Sequence, residues 1–476
     1  MPIERVDDYL DVIRNGIRKQ FGDAKPRKVV IVGAGVSGLV AAYELLQAGH
    51  EPLILEAQHR LGGRILTLRE PFSPGLYAEA GAMRIPRAHH LTLAYLDKFD
   101  LATRDFVMGN PNAYCYMGGV RRRMSEVWSD PDSLGFDTAP HERSKTSGQL
   151  WDAAIRPLVE MIEKEGDEAW QRIADEYDQD SIREFLERKK WSEGAIEMFG
   201  LMENQEAMMN TSFLECFREE AGHYYTNMVE IAGGMENLPL AFLPALRPYI
   251  HFGARMIAID QSPDSAIIHY ETSAGRFQAD AGYAIITAPF PALRHVEVLK
   301  PFSRAKQRAI RQLHYDASAK VFLQTRDRFW ETDDGIVGGG TVTDLPIRNL
   351  YYTDYGKETG RGILLASYTW SEDAQRWGSL SPENRIIQAL EDVEQIHPQI
   401  RASFEAGASK MWHDDEFAGG AFALFDPGQQ TLLYDEIISP EGRIYFAGEH
   451  ASLYHAWIQG AIESGLRAAI AIHRLD

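Results

Sequence analysis

The chain has 476 residues, of which 45% are hydrophobic, enough for two or three domains that each have a core. Its 49 Lys and Arg and 69 Asp and Glu residues give a formal charge of -20 at pH 7, which argues against nucleic acid or an anionic membrane surface as the main partner. Two cysteines, Cys115 and Cys216, are too few for a disulfide framework, and we interpret both as buried thiols.

The N-terminal segment predicts a helix. Apolar residues recur there at helical spacing among charged ones, and no apolar core of a signal peptide is present. No later run reaches the roughly 18 uninterrupted apolar residues of a membrane-spanning helix. The sequence therefore predicts a soluble, cytoplasmic protein with no membrane partner.

Residues 28–56 predict a dinucleotide-binding unit. The β-branched run 29–32 is typical of a parallel strand buried on both faces, and a helix follows to Ala48 before Gly49 ends it. A second strand covers 53–55 and is closed by Glu56, an acid 18 residues after the last motif glycine. The motif G-x-G-x-x-G itself is built from Gly33, Gly35 and Gly38.

Each glycine of this motif has a physical role. Gly33 permits the tight turn, Gly35 lets the backbone approach a pyrophosphate, and Gly38 allows close packing of helix on strand. The helix N-terminus then offers N-H groups to the phosphates. An acid at position 56 favours an unphosphorylated ribose, and so FAD or NAD rather than NADP.

Two further segments distinguish FAD from NAD. The first is AQHRLGGRI, which directly follows Glu56 and contains Gly62-Gly63 and Arg64. The second is RIYFAGEHASLYHAWIQGAIESGLRAA near the C-terminus, with a strand at 443–446, then Gly448-Glu449, then a helix from about Trp457. With the glycine motif, these segments resemble the flavin amine oxidase family.

The resemblance implies FAD as the cofactor. The positions that it assigns to the FAD site are Gly33, Ala34, Gly35, Ser37, Gly38, Glu56, Ala57, Gly63, Arg64, Gly81, Ala82, Met83, Arg84, Met256, Trp412, Gly448, Glu449, Trp457 and Ile458. Monoamine oxidases of the family hold the flavin through a cysteine that follows a glycine pair. Here Ala421 follows Gly419-Gly420, so the resemblance implies noncovalent FAD.

The stretch AGAMRIP resembles the branch of L-amino acid oxidases and amino acid monooxygenases, in which an arginine binds the substrate carboxylate. That arginine corresponds to Arg84, whose planar guanidinium can give a carboxylate two parallel hydrogen bonds. The same resemblance implies that the hydroxyl of Tyr368 binds the carboxylate and that the Ala456 carbonyl accepts the substrate amine. It also places Ala421, Phe422 and Trp457 around the substrate.

The implied reaction is oxidative deamination of an L-amino acid. Hydride passes from Cα to flavin N5, the imine hydrolyses to a 2-oxo acid and ammonia, and O2 reoxidises the flavin to give hydrogen peroxide. Lys320 is the candidate catalytic residue, which would hold a water near N5 for the reaction with O2. Hydride can leave Cα only when the amine is neutral, because an ammonium nitrogen has no lone pair to stabilise the developing iminium. The rate should therefore rise with pH.

Three other functions share some of these motifs. A decarboxylating amino acid monooxygenase would use the same arginine, whereas a monoamine or polyamine oxidase would leave Arg84 structural. The third alternative is a binding or regulatory protein that keeps FAD as a structural group and catalyses no reaction. The expected partners of the favoured function are an amino acid and O2, and a homodimer is the expected assembly.

The predicted fold is α/β (α+β), with a discontinuous Rossmann-like FAD domain at 27–66, 227–300 and 434–476. A mixed-sheet substrate domain would comprise 1–26, 67–120 and 301–433, and a helical domain would be inserted at 121–222. In the helical part we interpret Glu203, Glu206, Glu219 and Glu220 as a solvated face rather than a selector of basic side chains. His223 is a weak candidate for a catalytic base.

Overall fold

A computed structural model describes residues 6–475. The N-terminal prediction is confirmed over the described part, where two helices pack against the nucleotide-binding region, Val6–Asn15 and Ile17–Phe21. Among the described residues no helix is long and apolar enough to cross a membrane.

A five-stranded parallel sheet forms the centre of the nucleotide-binding part. Its central strand, Lys28–Val32, is buried apart from Lys28, as the β-branched run predicts. The helices Val36–Gln47 and Ile458–His473 contact each other and share one hydrophobic core with this strand. Across the sheet the strands lie in the order Ile250–Phe252, Glu51–Glu56, Lys28–Val32, Tyr283–Ile286 and Ile444–Phe446.

These strands come from three separate parts of the chain, so the predicted Rossmann-like, discontinuous fold is confirmed. A second, four-stranded sheet packs against the other face through its own core. Its strands are Gly275–Ala281, Ala266–Thr272, Arg255–Gln261 and Glu297–Val298.

A seven-stranded mixed sheet forms the second large unit. Neighbouring strands pair antiparallel. The exception is the pair Gly340–Thr343 and Tyr114–Met117, which is parallel and makes the sheet mixed as expected. Helices Ser371–Gly378 and Pro382–Ile396 cover it. The strand order is Phe404–Met411, Ser318–Thr325, Gly362–Trp370, Asn349–Tyr352, Gly340–Thr343, Tyr114–Met117 and Val120–Arg123.

The third unit is helical. Residues 121–123 lie in the last strand of the mixed sheet, so the helices begin three residues later than the predicted boundary at 121. The helices are Met124–Ser129, Ser147–Glu165, Asp167–Tyr177, Ile182–Arg188, Glu193–Met202 and Phe213–Ala221.

Shorter elements connect these units. The strands are Thr67–Leu68, Ala78–Glu79, Ile85–Pro86, Thr103–Asp105, Met228–Ile231, Tyr315–Asp316 and Phe422–Ala423. The helices are His90–Lys98, Asn237–Ala241, Leu243–Leu246, Phe290–Leu293, Arg304–Gln312, Phe329–Thr332, Ile400–Ser403 and Gln429–Ile438. Single 3-10 turns occur at Pro131–Leu134, Glu206–Met208, Arg247–Tyr249, Lys357–Thr359 and Glu449–Ala451.

Candidate functional site

A cavity of about 1040 Å³ is lined by residues of all three units. This volume is at the upper end of the range for small-molecule sites. All of the predicted site residues line it except two, Ala34 and Gly38. Those that line it are Gly33, Gly35, Ser37, Glu56, Ala57, Gly63, Arg64, Gly81, Ala82, Met83, Arg84, Met256, Lys320, Tyr368, Trp412, Ala421, Phe422, Gly448, Glu449, Ala456, Trp457 and Ile458.

Ala34 and Gly38 belong to the glycine turn but do not line the cavity. Gly38 faces the strand end, where a Cβ would lie 2.1 Å from the Gly33 carbonyl oxygen, so only glycine fits there. Ala34 donates its backbone N-H to Glu56 Oε2 at 2.7 Å. Gly33 itself has φ +106°, a conformation that glycine adopts without strain.

Gly35 and Glu56 present the features that a dinucleotide needs. Gly35 lies at the start of helix Val36–Gln47, and a Cβ added there would meet no atom within 4 Å. The open space therefore reaches the helix N-terminus, where phosphates bind well. Glu56 accepts hydrogen bonds from Ala34 and from the Gln58 N-H at 2.8 Å, which leaves acceptor positions on its carboxylate for ribose hydroxyls.

Arg64 and Glu449 form an ion pair across 385 positions of sequence. Arg64 Nη1 lies 2.7 Å from Glu449 Oε1 and also donates to the Ala421 carbonyl at 3.1 Å. Burial alone would raise the pKa of the Glu449 carboxyl, but the Arg64 guanidinium lowers it below its usual range. The pair joins the LGGR segment to the FAGE segment, which the resemblance assigned to one site.

Arg84 is surrounded by aromatic rings. The rings of Phe106, Tyr225 and Tyr351 have their centroids within 5.6–5.8 Å of its guanidinium carbon. Its Nη1 lies 3.4 Å from the Tyr351 hydroxyl, and among residues 6–475 no acidic side chain lies within ion-pairing distance of it. A guanidinium in this setting is available to bind an anion from the cavity.

Lys320 is buried, contrary to the usual solvent-facing position of a strand lysine. It lies in Ser318–Thr325, and its Nζ donates to the carbonyls of Glu79 at 3.0 Å and Gly81 at 2.7 Å. Burial lowers the pKa of this amine to about 7. The amine also lies 4.5 Å from the ring centroid of Tyr368 on the neighbouring strand.

Each residue of the segment 455–457 makes a hydrogen bond with a glutamate side chain. Ala456 has φ +65°, which is unusual for a residue other than glycine, and its N-H donates to Glu449 Oε2 at 3.0 Å. Trp457 Nε1 donates to Glu219 Oε1 at 2.6 Å. His455 Nδ1 lies 2.9 Å from Glu215 Oε1.

The interpretation of the acidic residues as one solvated face is wrong for Glu219, which lines the cavity. Glu206 pairs with Arg348, Glu203 accepts a bond from Ser147, and Glu220 does not line the cavity. The residue pattern carries no signal that separates a cavity-facing glutamate on an amphipathic helix from a solvent-facing one.

Two further predictions need correction. His223 is exposed on a turn and is absent from the cavity lining, so it is not placed to act as a base. Cys115 is buried as predicted, whereas Cys216 is only partly buried and lines the cavity. Sequence reasoning also missed Glu215, His455 and Tyr225.

Known proteins match nearly the whole chain. YobN of Bacillus subtilis (strain 168) is 41% identical over 98% of both chains. The L-amino-acid oxidases of Vipera ammodytes ammodytes and Naja atra are 34% and 33% identical, over 98% of this chain and 96% and 91% of theirs.

Solved structures share the fold at lower identity. Wild-type putrescine oxidase bound to putrescine superposes with a TM-score of 0.74 at 20% identity, covering 94% of this chain and 99% of that one. Cyclohexylamine oxidase from Brevibacterium oxydans IH-35A gives 0.74 at 19% identity, covering 94% and 99%. Residues 36–473 match the family model for flavin containing amine oxidoreductase. The resemblance to the flavin amine oxidases is thereby confirmed, and the chain belongs to the flavin-containing amine oxidoreductase family.

Proposed function

We propose that the protein is an FAD-dependent L-amino acid oxidase, which converts L-amino acids to 2-oxo acids with release of ammonia and hydrogen peroxide. The observation that carries the proposal is Arg84, a guanidinium that lines the cavity without an acidic partner among the described residues. Relatives over nearly the whole chain that are named L-amino-acid oxidases support the same substrate class.

FAD would be held noncovalently between the glycine turn, Glu56 and the Arg64–Glu449 pair. Met256, on strand Arg255–Gln261, lines the same cavity and is the proposed adenine neighbour. Ala421 provides no thiol for a covalent link. FAD held there would supply a hydride acceptor for the substrate Cα-H and, once reduced, the two electrons that O2 takes up to form hydrogen peroxide.

The residues of the chain orient the substrate for that transfer. Arg84 binds the carboxylate through two N-H groups, and the Tyr368 hydroxyl gives a further bond. The Ala456 carbonyl accepts a hydrogen bond from the amine, while Phe422 and Trp457 flank the side chain. Fixing the two ends of the amino acid leaves one orientation for Cα-H.

Recognition of the carboxylate separates this proposal from an amine oxidase. A polyamine or monoamine oxidase would need no cation at position 84. A decarboxylating amino acid monooxygenase would use the same arginine, and its amide product would distinguish it from an oxidase, which forms a 2-oxo acid. We favour the oxidase because two relatives that match nearly the whole chain are named L-amino-acid oxidases.

The test is anaerobic mixing of the purified flavoprotein with L-amino acids, their D-enantiomers and the corresponding decarboxylated amines, while flavin absorbance is followed. L-amino acids should bleach the flavin much faster than their D-enantiomers or the amines, which should react slowly. In Arg84→Met the efficiency of bleaching by L-amino acids should fall by about 10²-fold or more, because a charge-assisted pair is lost, while that by amines should change little. If the efficiency of bleaching fell equally with L-amino acids and with amines, Arg84 would not be the residue that binds the substrate carboxylate.

A further inference from the structure

Three carboxylates hold three consecutive residues of the cavity wall. Glu215 is bonded to His455, Glu449 accepts the Ala456 N-H, and Glu219 accepts the Trp457 indole N-H. Two of the three come from one helix of the helical unit, Phe213–Ala221. Their spacing of four residues places Glu215 and Glu219 on one face of that helix.

The segment 455–457 requires such support. Ala456 keeps a left-handed backbone conformation that costs about 1 kcal/mol or more for a residue with a Cβ, so surrounding contacts must maintain it. Ala456 is exposed to the cavity, whereas His455 beside it is buried. The hydrogen bonds of Ala456 itself and of its two neighbours are the contacts that can maintain this conformation.

The helix that carries both glutamates is itself docked on the C-terminal part of the chain. The Ser212 N-H donates to the Phe425 carbonyl at 2.9 Å, and the Phe425 N-H donates back to Glu215 Oε1 at 3.3 Å. Arg218 Nη1 lies 3.3 Å from the other Glu215 oxygen. Burial alone would raise the pKa of Glu215, but His455 lowers it, so the carboxylate stays ionised and holds the imidazole.

Each carboxylate oxygen of Glu219 accepts one hydrogen bond. Tyr225 donates its hydroxyl to Oε2 at 2.6 Å, and Trp457 donates to Oε1 at the same distance. The ring of Tyr225 faces Arg84, with its centroid 5.6 Å from the guanidinium carbon. Glu219 therefore links the residue proposed to bind the carboxylate with the segment proposed to bind the amine.

We propose that Glu215 and Glu219 are positioning residues: through His455 and Trp457 they aim the Ala456 carbonyl at the amine of the substrate. The inference rests on the proposed function, since it takes that carbonyl as the amine acceptor. It gives the helical unit a role in the chemistry, because this unit supplies two of the three carboxylates that hold the segment.

The experiment compares Glu219→Gln, Trp457→Phe and their double variant with the wild type in anaerobic flavin reduction. Glutamine keeps the size of the side chain but can accept only one of the two hydrogen bonds on its oxygen, and phenylalanine removes the indole donor. Each single variant should lower the limiting rate of reduction about tenfold to a hundredfold. In Glu219→Gln the affinity of the apoprotein for FAD should change less than about twofold, since Glu219 is not among the positions assigned to the FAD site.

The double variant tests whether Glu219 acts through Trp457. Once the indole donor is gone, Glu219→Gln should cost little more, whereas independent effects would multiply and overturn the inference. Glu220→Gln is the matched control, because Glu220 is adjacent on the same helix and does not line the cavity. The slowing should be equal for L-amino acids and for any amine that reduces the flavin, unlike that of Arg84→Met.

Glu215→Gln extends the test to the second glutamate. It should slow reduction in the same way, while His455→Asn, whose side chain is too short to reach Glu215, should match it. If L-amino acids reduce the wild type but Glu219→Gln behaves like Glu220→Gln, the positioning role fails and the proposed function stands. If L-amino acids do not reduce the wild type, the proposed function itself fails.

Discussion

Lys320 and Arg84 are two cations of the same cavity with opposite surroundings. Lys320 has its amine fixed on two backbone carbonyls, and burial brings its pKa to about 7, so it can change charge near neutral pH. Arg84 keeps its charge at any working pH and has aromatic rings around it. The arginine therefore suits the binding of a permanent anion, and the lysine suits the handling of a proton.

Replacing Lys320 by methionine should slow the reaction of the reduced protein with O2 by roughly 10²-fold, because the amine proposed to hold a water near the flavin is lost. Reduction by the substrate should change far less. Mixing the reduced protein with O2 in a stopped-flow instrument measures this step. Lys306→Met is the control, since Lys306 is also buried on two carbonyls but lies outside the cavity lining. An unchanged rate with O2 in Lys320→Met would exclude the role.

At the scale of single elements, the strand-helix unit at 28–56 was predictable because its rules are local. The β-branched run and the glycines place the strand and helix within one residue of Lys28–Val32 and Val36–Gln47. The role of helix Phe213–Ala221 was not predictable in the same way. Its amphipathic pattern shows that one face is polar, but whether that face meets water or a cavity depends on segments far away in sequence, such as 455–457.

Two glycines of the turn should affect different properties when replaced: Gly38 the stability of the fold and Gly35 the binding of FAD. Gly38→Ala should destabilise the protein by about 1–3 kcal/mol, because its Cβ would lie 2.1 Å from a carbonyl oxygen. Gly35→Ala should fold with nearly normal stability, because its φ of -70° suits alanine and its Cβ would meet no atom within 4 Å. Its methyl group would instead enter the cavity and weaken FAD binding.

Thermal unfolding of the two apoproteins and titration with FAD measure both effects. A Gly35→Ala protein that binds FAD like the wild type would show that the cofactor does not approach this turn. A Gly38→Ala protein of normal stability would show that the helix and strand can separate at this point without cost.

At the scale of the whole molecule, the site depends on contacts that no local pattern encodes. Arg64 meets Glu449, and Lys320 meets Gly81, across hundreds of residues. The residue types in LGGR and FAGE suggested a common site only through the resemblance to a family. Arg84 was found in the same way, whereas Glu215 and His455, which also line the cavity, were missed because they meet only in the folded chain, 240 positions apart in sequence.

Lys306 gives the fold a dependence on pH that is separate from catalysis. Helix Arg304–Gln312 places its amine at the end of helix Gln429–Ile438, on the carbonyls of Ile437 at 3.0 Å and Ser439 at 2.7 Å. Burial lowers the pKa of the amine from its usual 10.5 to about 7. Between these values the unfolded chain binds a proton that the folded protein does not, so the free energy of unfolding rises with pH in this window.

The slope from one such lysine is about 1.4 kcal/mol per pH unit. Lys306→Met should therefore show a smaller rise of stability between about pH 7.5 and 9.5 than the wild type, measured by denaturant unfolding of the holoenzyme at several pH values. Lys320 adds a slope of the same sign to both proteins and cancels in the comparison. Since only the slope is compared, a change in absolute stability caused by the methionine does not affect the test. Parallel curves for the two proteins would mean that Lys306 stays protonated in the fold, with its charge balanced by the two carbonyls and the Phe446 ring 3.9 Å away.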